Sequence, residues 1–190
     1  MLSFTRTTFD ARYVLGMSPP DPVGAARPVP VDDPAGPAHD LDDLDRRILA
    51  LLQDDASLSH VALAARVHAS APTCLRRVRR LVERGVIARR VAIVAPEALG
   101  PSLTAIVEVT LDRQASELLD AFQARAVAEP AVLQCYRVSP GPDFVLVLQV
   151  RDMSAYHAFA HRVLASESNV RNVRTYFAVV RAKFETRIPV

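Results

Sequence analysis

The sequence predicts an α+β protein in which a winged helix-turn-helix precedes a four-stranded βαββαβ module, and three observations carry that expectation. Two short helical patterns, each opened by a serine cap, are joined by a three-residue turn, so a helix-turn-helix spans about His60 to Arg79. The second helix concentrates arginine, with five in the nine residues from Arg76 to Arg84 and Glu83 as the one acid among them. Beyond Pro101 the hydrophobic period alternates between 2 and 3.6 in the order strand, helix, strand, strand, helix, strand.

Residues 1–40 differ from everything after them. They hold seven of the fourteen prolines, Pro19, Pro20, Pro22, Pro28, Pro30, Pro34 and Pro37, and no sustained period. Such a segment buries too little apolar surface to hold one conformation, so a disordered extension is expected. A regulatory or self-associating arm using Phe4, Phe9, Tyr13 and Leu15 is the alternative, and Met17 offers an internal start.

Residues 41–94 read as the winged helix-turn-helix. Leu41, Leu44, Ile48, Leu51 and Leu52 form one helical stripe, opened by Asp42, Asp43 and Asp45 where the helix dipole favours negative charge. Ser59 is placed to cap a helix running to about Val67, with Val61, Leu63, Ala64 and Val67 inward. His68, Ala69 and Ser70 make the turn. Ser70 caps the next helix, whose first turn contains Pro72, where a missing N–H costs little. Leu75, Val78, Leu81 and Val82 are expected inward, which leaves Thr73, Arg76, Arg77, Arg80 and Arg84 outward with Arg79 at the margin. Gly85 ends the helix, and Val86 to Val94, with Arg89 and Arg90, reads as an extended wing.

Residues 95–102, with Pro96, Gly100 and Pro101, read as a linker. Residues 103–190 then supply the second domain. Leu103 to Leu111 alternates as a strand, and a helix capped by Ser116 presents Leu118, Leu119, Phe122 and Ala126. Val132 to Val138 and Phe144 to Val150 form a hairpin around Ser139, Pro140, Gly141, Pro142 and Asp143. Ser154 caps a helix to about Leu164, and Val173 to Phe184 is the final strand. A βαββαβ order folds as an antiparallel, ferredoxin-like sheet with both helices on one face. The other face needs a cover, which predicts a homodimer through the sheets.

Charge locates the functional surface. The formal net charge is +2. Residues 1–40 carry three arginines against five aspartates, and residues from Val91 onward carry ten basic against ten acidic side chains. Between Ser70 and Arg90, however, seven arginines face one glutamate. A local cationic surface of that kind suits phosphate contact. No apolar run approaches the roughly 20 residues that span a bilayer, and Arg6, Asp10 and Arg12 interrupt any signal-peptide core, so the cytoplasm is expected and a membrane is not. Cys74 and Cys135 lie far apart among apolar neighbours without a CxxC pair, which points to buried free thiols rather than a disulfide or zinc. Together these features predict a regulator that binds double-stranded DNA, with Ser59, Ser70, Thr73, Arg76, Arg77 and Arg80 as its DNA contacts.

The stretch Leu41 to Arg187 resembles the Lrp/AsnC, or feast/famine, family of transcription regulators. The segments that carry the resemblance are LDDLDRRILALLQ at Leu41 to Gln53, LSHVALAARV at Leu58 to Val67 and SAPTCLRRVRRLVERGVI at Ser70 to Ile87. DMSAY at Asp152 to Tyr156 and VRTY at Val173 to Tyr176 add to them. The resemblance implies that the second module is a ligand-sensing RAM domain, that dimers assemble in many members into octamers, and that genes of amino-acid metabolism are controlled. It implies an amino acid or related small effector, with Ser139, Gly141, Asp143, Phe144, Val170 and Thr175 as candidate contacts and Asp143 placed to receive an amino group. No cofactor is expected, and the spacing of the histidines and cysteines gives no reason to expect a metal. Three residues depart from the family pattern. Pro140 stands at the usual glycine of the turn between the second and third strands, Asn169 precedes Val170 where glycine is common, and His68 replaces a turn glycine. The first two fall at the family's ligand pocket and imply a shifted ligand preference, or none.

Two rival functions come from other classes. One is an amino-acid sensor and oligomerisation protein without specific DNA binding. The other is a small metal-dependent ferredoxin-like enzyme. Its metal would sit on His157 and His161, an i, i+4 pair with no third ligand near in sequence, and an acid/base pair of Asp143 and Glu108 has no fixed separation. Neither a glycine-rich phosphate loop nor a Gly-x-Ser-x-Gly elbow occurs, so the enzyme reading is the weakest of the three.

Overall fold

A computed structural model describes residues 40–166 and 168–190, and the proline-rich extension with its aromatic candidates lies outside the described residues. Three helices come first: α1 (Asp43–Asp54), α2 (His60–Val67) and α3 (Ala71–Glu83). Each is opened by a side chain that accepts from a backbone N–H of its first turn: Asp42 from Asp45, Ser59 from Ala62 and Ser70 from Thr73. These caps use donors that no intrahelical carbonyl can reach. His68 occupies the left-handed region at φ 54°, where the expected glycine would sit freely, and turns the chain from α2 into α3.

The three-helix core consists of Ile48, Leu49, Leu63, Ala64, Val67, Cys74, Val78 and Leu81. Three expected inward residues are not part of it: Val61 is 71% exposed, Val82 46% exposed, and Leu75 is half-buried outside the cluster. Cys74 lies inside instead, one helical turn before Val78, and burial pushes its thiol up from its ordinary pKa. After Gly85, which takes φ 73°, Ile87 N donates to Leu81 O. That bond folds Val86 and Ile87 back onto the helical core.

The wing segment carries no regular secondary structure. Residues 88–95 adopt no strand, and Val91, Ile93 and Val94 are exposed. No strand pairs with it among the described residues, and its exposed backbone groups are left to solvent. A 3₁₀ turn, Pro96–Leu99, completes the linker.

The second half is a four-stranded antiparallel sheet of order β2-β3-β1-β4, from β1 (Leu103–Leu111), β2 (Val132–Arg137), β3 (Phe144–Val150) and β4 (Val170–Phe177). Helices α4 (Ser116–Ala128) and α5 (Met153–Phe159) pack on one face, and a π-helical turn, Ala160–Ala165, continues α5. Alternation puts Ala105, Val107, Val109 and Leu111 of β1 and Phe144, Leu146 and Leu148 of β3 into the core, against Phe122, Ala126, Phe159, Val163 and Leu164. Each of the fully buried Val, Leu and Phe side chains among them stabilises the fold by about 1.5–3 kcal/mol relative to exposure.

Local boundaries differ from expectation at three places. Ser116 is the first helical residue rather than the cap of α4, because Ala115 stands at the N-cap with no side-chain bond. Asp152, not Ser154, caps α5 by accepting from Ala155 N at 2.7 Å. Strand β4 starts earlier and stops at Phe177 rather than Phe184. Its partner β1 begins at Leu103, so the last available bond is Ala178 N to Thr104 O, and the ladder runs out. Residues 178–190 then return toward α1. There the Gln53 amide exchanges two hydrogen bonds with the Ile188 backbone at 2.8 and 3.0 Å, and Arg187 pairs with Asp54 at 2.8 Å.

Candidate DNA interface and effector site

Helix α3 presents its cationic residues in two groups. Arg76 and Arg79 are exposed on the face opposite Cys74 and Val78, where with Pro72, Leu75, Arg80 and Glu83 they border a shallow depression of about 300 Å³. Arg77 and Arg80 lie instead toward α1. Arg77 Nη1 donates to Asp42 Oδ2 and sits 3.3 Å from both oxygens of Asp45, and Arg80 Nη2 donates to Asp45 Oδ2. Asp45 is 0% exposed, and the Arg77 side chain only 19%.

The outward placement expected for Arg77 is therefore corrected, whereas the Arg80 side chain stays 38% exposed while it bonds to Asp45. Both flank the apolar stripe on its α1 side, and two carboxylates within reach outcompete solvent for their guanidinium groups. Asp42 is held below its ordinary carboxylate pKa of 3.8, first by the backbone N–H of Asp45 and then by Arg77. Arg77 is held more firmly protonated, chiefly by its bond to Asp42. The signal was present in the sequence. Aspartates three apart on α1 face arginines three apart on α3, and i, i+3 side chains share a helix face.

The remaining expected DNA contacts gather at helix starts. Ser59 Oγ accepts from Ala62 N at 3.1 Å, and Ser70 Oγ lies 2.8 Å from Thr73 Oγ1 and caps Thr73 N. Ser70, Thr73 and Arg76 thus occupy the first turn and a half of α3, where the backbone N–H groups and the helix dipole also attract a phosphate. Arg79, expected at the margin, joins Arg76 on the exposed face.

The effector candidates divide in the same way. Ser139 and Gly141 are exposed in the β2–β3 turn, which contains a cis Ser139–Pro140 peptide and Gly141 at φ 124°. Asp143 closes that turn on the end of β1. Its N–H donates to Val109 O, its carbonyl accepts from Val138 N, and its Oδ2 accepts from Leu111 N at 2.6 Å. Val170 pairs with Leu111 from the other side. Asn169 completes this end of the sheet. Its side-chain amide exchanges two 3.0 Å bonds with the Arg113 backbone, and its carbonyl accepts from Asp112 N.

Phe144 and Thr175 do not join that group. Phe144 is 0% exposed, its ring 4.8 Å from the Phe122 ring in the core, because its position on β3 points to the helix layer. Thr175 also faces the helices, 2.6 Å from the Tyr156 hydroxyl. A larger cleft, of about 510 Å³, opens at the other end of the sheet between Pro96, Glu97, Thr104, Gln149, Val179 and Arg181. Leu111 lies seven residue steps along β1 from Thr104, roughly 23 Å at 3.3 Å per step.

The sheet face away from the helices is uncovered. Register places Ile106, Val145, Val147, Tyr136 and Tyr176 there, with Glu108 and Arg174 as direct cross-strand neighbours. His157 and His161 are exposed, and no group of three potential metal ligands gathers among the described residues. None of the described helices is long and apolar enough to cross a membrane.

Comparison with known proteins places both halves. Residues 41–88 match the model of a winged helix-turn-helix DNA-binding family, and residues 104–188 match the Lrp/AsnC ligand binding domain. An uncharacterised HTH-type transcriptional regulator of Haemophilus influenzae is 40% identical over 148 residues, covering 78% of this chain and 88% of the relative. The leucine-responsive regulatory protein of Salmonella typhimurium is 37% identical over 158 residues, 83% of this chain and 96% of its own length. Among solved structures, an AsnC family transcriptional regulator from Agrobacterium tumefaciens superposes with TM-score 0.73 at 36% identity, over 78% of this chain and 96% of that one. A Neisseria meningitidis transcriptional regulator in complex with L-Met does so with TM-score 0.73 at 31% identity, over the same shares.

Proposed function

The chain belongs to the Lrp/AsnC family of transcription regulators, and from that premise we propose how its own residues divide the work of a ligand-responsive, DNA-binding regulator. Two recognition helices α3 of a homodimer enter successive major grooves about 34–36 Å apart. Arg76 and Arg79 supply the side chains that reach bases or phosphates, and Ser59, Ser70 and Thr73 fix the helix starts against the backbone. The observation that carries this assignment is the split within α3: Arg76 and Arg79 are exposed, whereas Arg77 and Arg80 are tied to α1. Arginine reads guanine bidentately through O6 and N7, a geometry open only to an exposed guanidinium.

The dimer forms through the uncovered sheet face. Ile106, Val145 and Val147 provide its apolar centre, and a two-fold axis lets Glu108 of each copy meet Arg174 of the other. The effector is an amino acid taken at the Asp143 end of the sheet. Asp143 Oδ1 is the oxygen placed to accept from an ammonium group, since Oδ2 is engaged with Leu111 N. The L-Met carried by the Neisseria relative and the leucine in the name of the Salmonella relative support that class. Asn169, which ties that end of the sheet together, shifts the preference away from theirs. Genes of amino-acid metabolism are the targets, and the cytoplasm is the site of action.

Fluorescence anisotropy of the purified chain on duplex from upstream of its own gene, at physiological salt with excess unrelated DNA, tests this reading. Saturable binding that survives the competitor and shifts with an added amino acid is expected. Binding that the competitor abolishes would leave only a generic basic surface. An effector acts only through differential affinity for two states, so an amino acid that binds without changing DNA affinity would remove it from the mechanism.

A further inference from the structure

We propose that Asp45, with Asp42, sets the reading position of the recognition helix, and that Arg77 and Arg80 are positioning residues acting through those carboxylates rather than DNA contacts. This rests on the reading of α3 as the helix that enters the groove. Asp45 is the one charged side chain that is fully buried among the described residues. It lies on a helix that touches no groove in that reading, and its location is costly unless its partners are well placed. Both its oxygens are engaged by Arg77, and Oδ2 also by Arg80. Asp42 serves two elements at once, its Oδ1 capping α1 through Asp45 N and its Oδ2 holding Arg77. The Nε atoms of both arginines are buried, although the Arg80 side chain as a whole is 38% exposed against 19% for Arg77.

Hydrophobic contact between α1 and α3 through Ile48, Leu49, Cys74, Val78 and Leu81 is non-directional, and it tolerates rotation of α3 about its own axis. Charge-assisted bonds are directional. Two bases three residues apart, held by two acids three residues apart, fix both the rotation and the axial position of α3. Arg76 and Arg79 alternate with the clamped pair along the same helix, so their aim is set by the clamp. Base readout depends on placement within a fraction of an ångström, whereas phosphate attraction does not. The clamp is therefore a determinant of specificity.

The test uses the full chain, with a duplex selected by the parent protein from a random pool, and measures affinity for that duplex and an unrelated one across a salt series. Arg76→Gln or Arg79→Gln should lower the slope of log affinity against log salt by about one for each phosphate that is no longer neutralised. Arg77→Gln, Arg80→Gln and Asp45→Asn should leave that slope unchanged while the ratio of selected to unrelated affinity falls at least about tenfold, as expected when one bidentate base pairing is misaligned. Arg77→Lys and Arg80→Lys retain the charge and should lose discrimination nonetheless. A slope reduced by about one in Arg77→Gln or Arg80→Gln would make them phosphate contacts and overturn the proposal. A fall in both affinities with the ratio unchanged would show a merely structural role and would overturn it too. Circular dichroism gives the folded fraction, and if Asp45→Asn does not fold, the lysine variants carry the decision. A parent that selects no sequence defeats the reading of α3 itself, an outcome distinct from variants that discriminate as well as the parent.

Discussion

The two halves of this chain fix their helices by opposite means. In the helix-turn-helix, α3 is held on α1 by a small apolar core plus a buried carboxylate that grips two arginines. In the sensor, α4 and α5 lie on the sheet through apolar layers, with Phe122, Phe144 and Phe159 fully buried and the ion pairs Arg137–Asp120 and Arg162–Glu129 kept at the margin. An apolar layer gives stability without much direction, while a charge clamp gives direction at some desolvation cost. The half whose task is to aim a helix carries the clamp. The half that binds a ligand has the larger apolar core.

Substitution in the apolar half should produce the largest effect. Phe122→Ala removes a ring that packs against Phe144 at 4.8 Å and should cost about 3–5 kcal/mol, seen in urea unfolding and in diminished hydrogen-exchange protection of β1 and β3. Retained protection in the sheet would mean that the layer tolerates a cavity, and the contrast between the halves would weaken. Capping sharpens the comparison at smaller magnitude. All three helices of the DNA-binding half have side-chain caps, whereas α4 begins at Ala115 with none. Ser59→Ala should destabilise by about 1 kcal/mol. Ala115→Ser places a hydroxyl at a residue already in the extended conformation a cap requires, φ −64° and ψ 142°, and should stabilise by about 0.5 kcal/mol. Thermal unfolding of the two variants reads both signs, and a neutral Ala115→Ser would show that water already serves the first turn of α4.

What can be read from the sequence follows the same division. Period-2 alternation places β1 and β3 to the residue, because one face of each is buried and a one-residue slip would expose every apolar side chain. Ser59 and Ser70 are legible as caps, since the cap position demands a short polar side chain. The orientation of the arginines is not legible from periodicity. A guanidinium is long enough to turn either to solvent or to a neighbouring helix, and the outcome depends on acids thirty-five residues away in sequence. Resemblance assigns Phe144 and Thr175 to an effector site, yet strand parity alone sends both into the helix layer. The ends of strands are blurred for a further reason: β4 stops where β1 offers no more partners, a property of the pair rather than of either segment.

Acid should separate the two halves by the smallest effect. The folded-state pKa of Asp42 lies below its ordinary 3.8, so its contribution is fully present above that value and is lost as pH falls through the depressed folded pKa. At neutral and weakly acidic pH this group should therefore leave the stability of the helix-turn-helix flat, and protonation should release both the cap on Asp45 N and the hold on Arg77 only as pH falls through the depressed value. Glu129 is likewise held below its ordinary 4.5 by Arg162, but that pair fastens α4 to the π-helical turn at the rim of an apolar layer. Loss of the marginal pair should loosen the sensor less than loss of the cap and clamp loosens α3. Amide exchange followed from pH 6 to pH 3 would show it, with α1 and α3 losing protection before β1 and β3. Asp42→Asn, which keeps a capping oxygen but no charge, should remove most of the acid dependence from α3. If the sheet opened first, the apolar half would be the one that depends on its charges, and the division of labour between the two halves would be reversed.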